Sequence, residues 1–74
     1  MRPQTLIIAG IEYSGHCFCD DRYLFVYLDN MSILEGFQIL SNPENTATIR
    51  AISYGEEQVF TGYIVLKAIN TEYG

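Results

Sequence analysis

Leu24-Phe25-Val26-Tyr27-Leu28 decides how the rest of this chain is read. Its even positions are aliphatic and its odd positions aromatic, so a strand here is apolar on both faces. A strand buried on one side alternates apolar with polar residues, whereas a continuous apolar run needs cover on both. Val59-Phe60-Thr61-Gly62-Tyr63-Ile64-Val65-Leu66 makes the same demand later in the chain. The only helical stretch, Asn30–Leu40, lies between these two runs and is too short to shelter them all. Part of the sheet is therefore expected to find its cover outside the chain.

The helix is marked by a start, a stripe and a stop. Ser32 with Glu35 three residues later forms a capping-box pattern, with Asn30 an equally good N-cap. Ile33, Leu34, Phe37 and Leu40 follow the spacing of one apolar helical face. Pro43 disfavours helical geometry at Asn42 and ends the segment. Before the helix, Thr5–Tyr13 reads as a first strand, Ser14-Gly15 as a turn, and His16–Cys19 as a short strand stopped by Asp20-Asp21. After it, Thr46–Tyr54 and Gln58–Ile69 read as a hairpin around Gly55-Glu56-Glu57, with Gly62 in mid-strand as a bulge or a close approach. The expected fold is α+β, a ββαββ arrangement with a mainly antiparallel four- to five-stranded sheet and one short helix on one face.

The 74 residues amount to one small domain, near the lower limit for a chain that folds unaided. Hydrophobic residues make up 49% and charged residues 18%, a globular rather than a disordered balance. Nine acids face four bases, for a formal net charge of −5. Phosphate neutralisation needs clustered Lys and Arg, so direct nucleic-acid binding is not expected; attraction to a basic surface on another protein is compatible with the charge. The N-terminal run Leu6-Ile7-Ile8-Ala9 is too short for a signal-peptide core or a membrane span. With Cys17 and Cys19 too close along a strand to bridge easily, reduced thiols and a cytoplasmic location are expected.

No catalytic or metal-binding constellation stands out. His16-Cys17-Phe18-Cys19-Asp20-Asp21 is the densest group of ligand types, but zinc needs a second half-site and the chain has no other His or Cys. His16 on a strand also projects away from both thiols, which disfavours a Cys–His nucleophile. The carboxylate pairs Asp20/Asp21 and Glu56/Glu57 fall in turns and read as solvated. A non-enzymatic chain without cofactor or metal is the expectation. The aromatic stripe Tyr23, Phe25 and Tyr27, joined by Tyr54 and Tyr63, suits an interface, because tyrosine offers area, few rotors and a polar tip. Arg50 is either an anchor in the same interface or a cross-sheet partner of Glu12. If the helix lies on Leu24, Val26 and Leu28, the aromatic face is left for a partner.

The stretches Leu28–Phe37, Asn42–Arg50 and Glu57–Tyr63 resemble small proteins of Gram-positive bacteriophages and prophages. Those proteins share a strand, a short helix ending in Phe, a strand, and a Val/Ile-Tyr/Phe-x-Gly-Tyr run. The resemblance implies one of two functions: an anti-CRISPR-like inhibitor occupying a host defence protein in the host cytosol, or a small tail or virion module that assembles as a homo-oligomer. The partner-binding residues expected are Asp20, Asp21, Tyr23, Phe25, Tyr27, Arg50, Tyr54, Glu56, Glu57 and Tyr63, with the acidic turns facing a basic groove and a homodimer or higher oligomer left open.

Overall fold

The computed structural model describes residues 3–67. Six strands and two helical segments follow one another as β1 (Gln4–Ile8), β2 (Ile11–Asp20), β3 (Tyr23–Leu28), α1 (Ile33–Ser41), α2 (Pro43–Thr46), β4 (Thr48–Ser53), β5 (Glu56–Thr61) and β6 (Ile64–Lys67). They form one mixed sheet in the order β5-β4-β1-β2-β3-β6, antiparallel except for the parallel pair β3–β6. The expected ββαββ sheet of four or five strands is thereby corrected in strand number and order.

Connectivity alone makes this sheet curl. β5 and β6 stand at opposite ends of the strand order, yet only Gly62 and Tyr63 separate them in the chain. Five inter-strand gaps of about 4.8 Å would put the edges of a flat sheet about 24 Å apart. Three Cα–Cα steps from Thr61 to Ile64 reach at most about 11 Å. The sheet therefore bends back on itself into an incompletely closed barrel, with β5 and β6 as two arms of one bent strand. The molecule measures 27 × 25 × 25 Å, in keeping with a rolled sheet.

Alternation along the strands then selects the inside. Leu6 and Ile8 of β1, Leu24, Val26 and Leu28 of β3, Ile49 and Ala51 of β4 and Phe60 of β5 all face inward and are buried, joined by Leu40 of α1. Tyr13, Cys17, Tyr63 and Val65 line the same core from its margins. The inner face is thus covered chiefly by the inner face opposite, and α1 is an accessory plug packed against β6. Among the expected helix-stripe residues only Leu40 is buried: Ile33 is 63%, Leu34 64% and Phe37 49% exposed. The helix is anchored by its last turn, through Leu40 and the half-buried Ile39.

Local details explain the other differences. Ser32 caps α1: its Oγ accepts from the Glu35 backbone N–H at 3.1 Å, and Glu35 Oε1 accepts from the Ser32 N–H at 3.2 Å. The helix thus begins at Ile33 rather than Asn30. Ala9-Gly10, both at positive φ (54° and 81°), split the expected first strand into a two-residue hairpin. Tyr54-Gly55, at 52° and 78°, turn β4 into β5 one residue earlier than expected. Gly62, at φ 86°, breaks the expected Gln58–Ile69 strand and sends its second half across the barrel; Ala68 and Ile69 lie outside the described residues.

Ser14-Gly15 is no turn. Gly15 lies within β2 and pairs with both Gln4 and Leu28, where β2 passes from one neighbour to the other. A Cβ there would collide with the backbone oxygen of Tyr27. Past Gly15, Gln4 prolongs the ladder, its Oε1 accepting from the Cys17 N–H at 2.9 Å.

Two glycines separate on this basis. Gly15→Ala forces backbone apart and is expected to destabilise by about 1–3 kcal/mol. Gly36→Ala in α1, whose added methyl meets only Met31 Sδ at 3.8 Å, is expected to stabilise by about 0.5–1 kcal/mol. Urea unfolding of the two variants beside the parent checks both signs.

Candidate binding surface

The outside of the rolled sheet is where alternation leaves the second set of side chains. On β2 these are Glu12, Ser14, His16, Phe18 and Asp20; on β3, Tyr23, Phe25 and Tyr27; on β6, Ile64 and Leu66. Register lines them up in rows. Phe18, Phe25 and Leu66 are cross-strand neighbours, as are Asp20, Tyr23 and Ile64. The rings of Phe18 and Phe25 stack with centroids 4.8 Å apart and planes 9° from parallel. His16 lies over Tyr27 at 6.2 Å, nearly coplanar in orientation. Stacked pairs of this kind contribute about 0.5–1.5 kcal/mol beyond their area.

Although supported from one side, this patch is open to water. Phe18 is 56% exposed, Ile64 and Tyr23 are also exposed, and Phe25, Tyr27 and Leu66 are half-buried between them. The turn Asp21-Arg22, with Asp20 before it, borders the patch where β2 passes to β3. The Ile64 N–H donates to the Arg22 carbonyl at 2.8 Å and ties β6 to this corner.

The ten residues expected to bind a partner do not form one cluster. Asp20, Asp21, Tyr23, Phe25 and Tyr27 lie together at the β2–β3 corner. Arg50 and Glu57 are outward on β4 and β5, with β1 between them and β2 in the strand order. Tyr54 is 80% exposed at the β4–β5 turn, and Glu56 is exposed at the start of β5. Tyr63 belongs to the core margin: half-buried, it meets Phe60 edge-on with centroids 5.6 Å apart. Phe18, Ile64 and Leu66 were not among the residues expected. In the sequence Phe18 stands within the expected His16–Cys19 strand without a role of its own; its register against β3 is what sets it beside Phe25.

Arg50 is engaged by Glu57, not Glu12: its Nε donates to Glu57 Oε2 in an exposed ion pair. That hydrogen bond, reinforced by the charge of Arg50, holds the Glu57 carboxyl below its ordinary range. Such exposed pairs contribute little to stability, but this one ties up Glu57, which with Glu56 opens β5 rather than lying in the turn expected for the pair. His16 faces outward while Cys17 and Cys19 share the inner register. No group of three His, Cys, Asp or Glu among the described residues is placed to hold a metal ion. Burial, with a smaller contribution from Cys19, pushes the Cys17 thiol up to about 11. Among the described residues no helix is long and apolar enough to cross a membrane.

Comparison with protein-family models, with curated proteins and with solved structures found no match to this chain.

Two titrations check the local chemistry. Because only the thiolate is nucleophilic, iodoacetamide at pH 8 is expected to label Cys19 first, with Cys17 catching up only as pH approaches 11; peptide mass analysis over time reads the order. Because Glu57 is depressed in the folded state, its contribution to stability is complete above the ordinary glutamate range and lost as pH falls through the lowered value. Glu57→Gln is expected to remove that part of the acid limb, measured by denaturant midpoints between pH 5 and pH 2.

Proposed function

We propose that this chain is a non-enzymatic, phage-borne inhibitor that works in the host cytosol by occupying the surface of a host defence protein, a CRISPR nuclease being the leading candidate. The observation that carries the reading is the stacked, water-exposed Phe18–Phe25 pair with Tyr23 and Ile64 beside it. Large rings held rigidly on paired strands lose little entropy on docking, which is what a binding anchor needs. Asp20 and Asp21 border the patch, and the chain carries a net charge of −5, so a basic surface is the complementary one. The resemblance to small phage proteins supplies the class of target.

The binding residues of this reading are Phe18, Tyr23, Phe25 and Tyr27, with Asp20 and Asp21 as the charged rim. Arg50, Glu57 and Tyr54 are set apart on β4 and β5 and have no part in it; Tyr63 is assigned to the core.

The test is a DNA-cleavage panel of RNA-loaded CRISPR nucleases with and without the protein. Inhibition of at least one is expected, and Phe18→Ser, Tyr23→Ser, Phe25→Ser and Tyr27→Ser, made singly, are each expected to weaken binding about tenfold or more, about 1.4 kcal/mol, with circular dichroism unchanged. If every nuclease cuts at its normal rate, the inhibitor reading fails; a stable higher-order homo-oligomer would favour the assembling virion module instead.

A further inference from the structure

β6 is the least committed strand of the barrel. It is four residues long, pairs among the described residues with β3 alone, and does so in parallel, the weaker of the two ladder types per residue. Its only tether to β5 is Gly62-Tyr63, and Gly62 sits at φ 86°, a conformation that side-chain-bearing residues rarely adopt. The sequence from Glu56 to Lys67 otherwise reads as one uninterrupted strand, rich in Val, Phe, Tyr and Ile. Glycine takes this φ freely, so the bend rests on the absence of a side chain at one residue between two strand-forming runs.

We infer that β6 is exchangeable: the bend at Gly62 opens, β5 and β6 straighten into one strand from Glu56 to Lys67, and β6 docks on β3 of a second copy. The occupant of the vacated β3 edge is the same strand in the same register, so Tyr23 still meets Ile64 and Leu24 still meets Val65, now between chains. The β3–β6 pairings of the closed form are regained between chains, while the Tyr63–Phe60 contact at the hinge changes with the connection. A two-residue link between two strands is a short hinge of the kind at which such exchange occurs. The inference is independent of the phage reading and of the outer aromatic patch, since the surface used is the β3 edge already occupied in the monomer.

Gly62→Val acts on both sides of this balance. Valine opposes the positive φ of the bend and favours the straight strand, and no neighbouring atom lies within 4 Å of the added Cβ, so steric collision does not complicate the result. The reporter is a pair of exposed cross-strand neighbours, Tyr23→Cys with Ile64→Cys, in a Cys17→Ala, Cys19→Ala background, treated with a short bismaleimide. In the closed monomer the cross-link is within one chain; in the exchanged dimer it joins two.

At sub-millimolar concentration the Gly62→Val reporter is expected to sediment as a dimer and to give predominantly the doubled mass after cross-linking. Insertion of two glycines after Tyr63 is expected to return it to monomer. A folded Gly62→Val protein whose cross-link stays within one chain overturns the inference, whether it sediments as monomer or as a face-to-face dimer. Should Gly62→Val not fold, the Gly62 reporter refolded from denaturant at the highest soluble concentration decides: interchain cross-links support exchange, and intrachain cross-links alone overturn it.

Discussion

The short link from Thr61 to Ile64 is the constraint on which the rest of the molecule depends. It requires two strands at opposite ends of a six-stranded order to meet, and the sheet can satisfy it only by rolling up. Rolling brings the inner faces of β1, β3, β4 and β5 against one another, which is how the described residues, with one nine-residue helix and one short helical turn among them, bury Leu6, Ile8, Leu24, Val26, Ile49 and Phe60. No second layer is needed. The helix is released from acting as the main lid, and its flank of Ile33, Leu34 and Phe37 stays in water.

Rolling also determines what faces outward. Each inward aliphatic of β3 leaves an aromatic on the outside, and the stagger of β2 sets Phe18 beside Phe25 and His16 beside Tyr27. At the far end of the β2–β3 pair from the Asp21-Arg22 turn, Ser14 Oγ donates to Asp29 Oδ2 at 3.2 Å, and the Asp29 N–H donates to the Ser14 carbonyl at 2.8 Å. Rigid backbone beneath and exposed rings above are the two properties that separate an anchor from a stray apolar side chain. The acidic pairs differ in availability, since Glu57 is held by Arg50 while Asp20 and Asp21 lie at the rim of the patch.

Much of this was legible in the residues, and the failures have physical causes. The capping box at Ser32 and the alternation of β3 follow from local rules, and local structure obeys them; which face of β3 turns outward does not follow from them. The premise that apolar runs on both faces imply an external cover did not anticipate a sheet that covers its own inner face. Ala9-Gly10 sat inside an unbroken apolar run, so no change of period marked the hairpin. Gly62 signalled a departure from ideal strand geometry, but whether a glycine bulges or redirects a strand depends on where the far edge of the sheet lies. For the surface, Phe18, Ile64 and Leu66 became neighbours of Phe25 and Tyr23 only through register, which composition does not carry.

The order in which the strands are made has a consequence for the nascent chain. β1 must await β4, and β3 must await β6, before either gains its second neighbour. While a ribosome has released only the first three strands, Leu6, Ile8, Leu24, Val26 and Leu28 line an open trough with nothing opposite. Long-range pairings of this kind form late and slowly, so the newborn meander keeps its aliphatic trough open until the bent strand arrives to shut it.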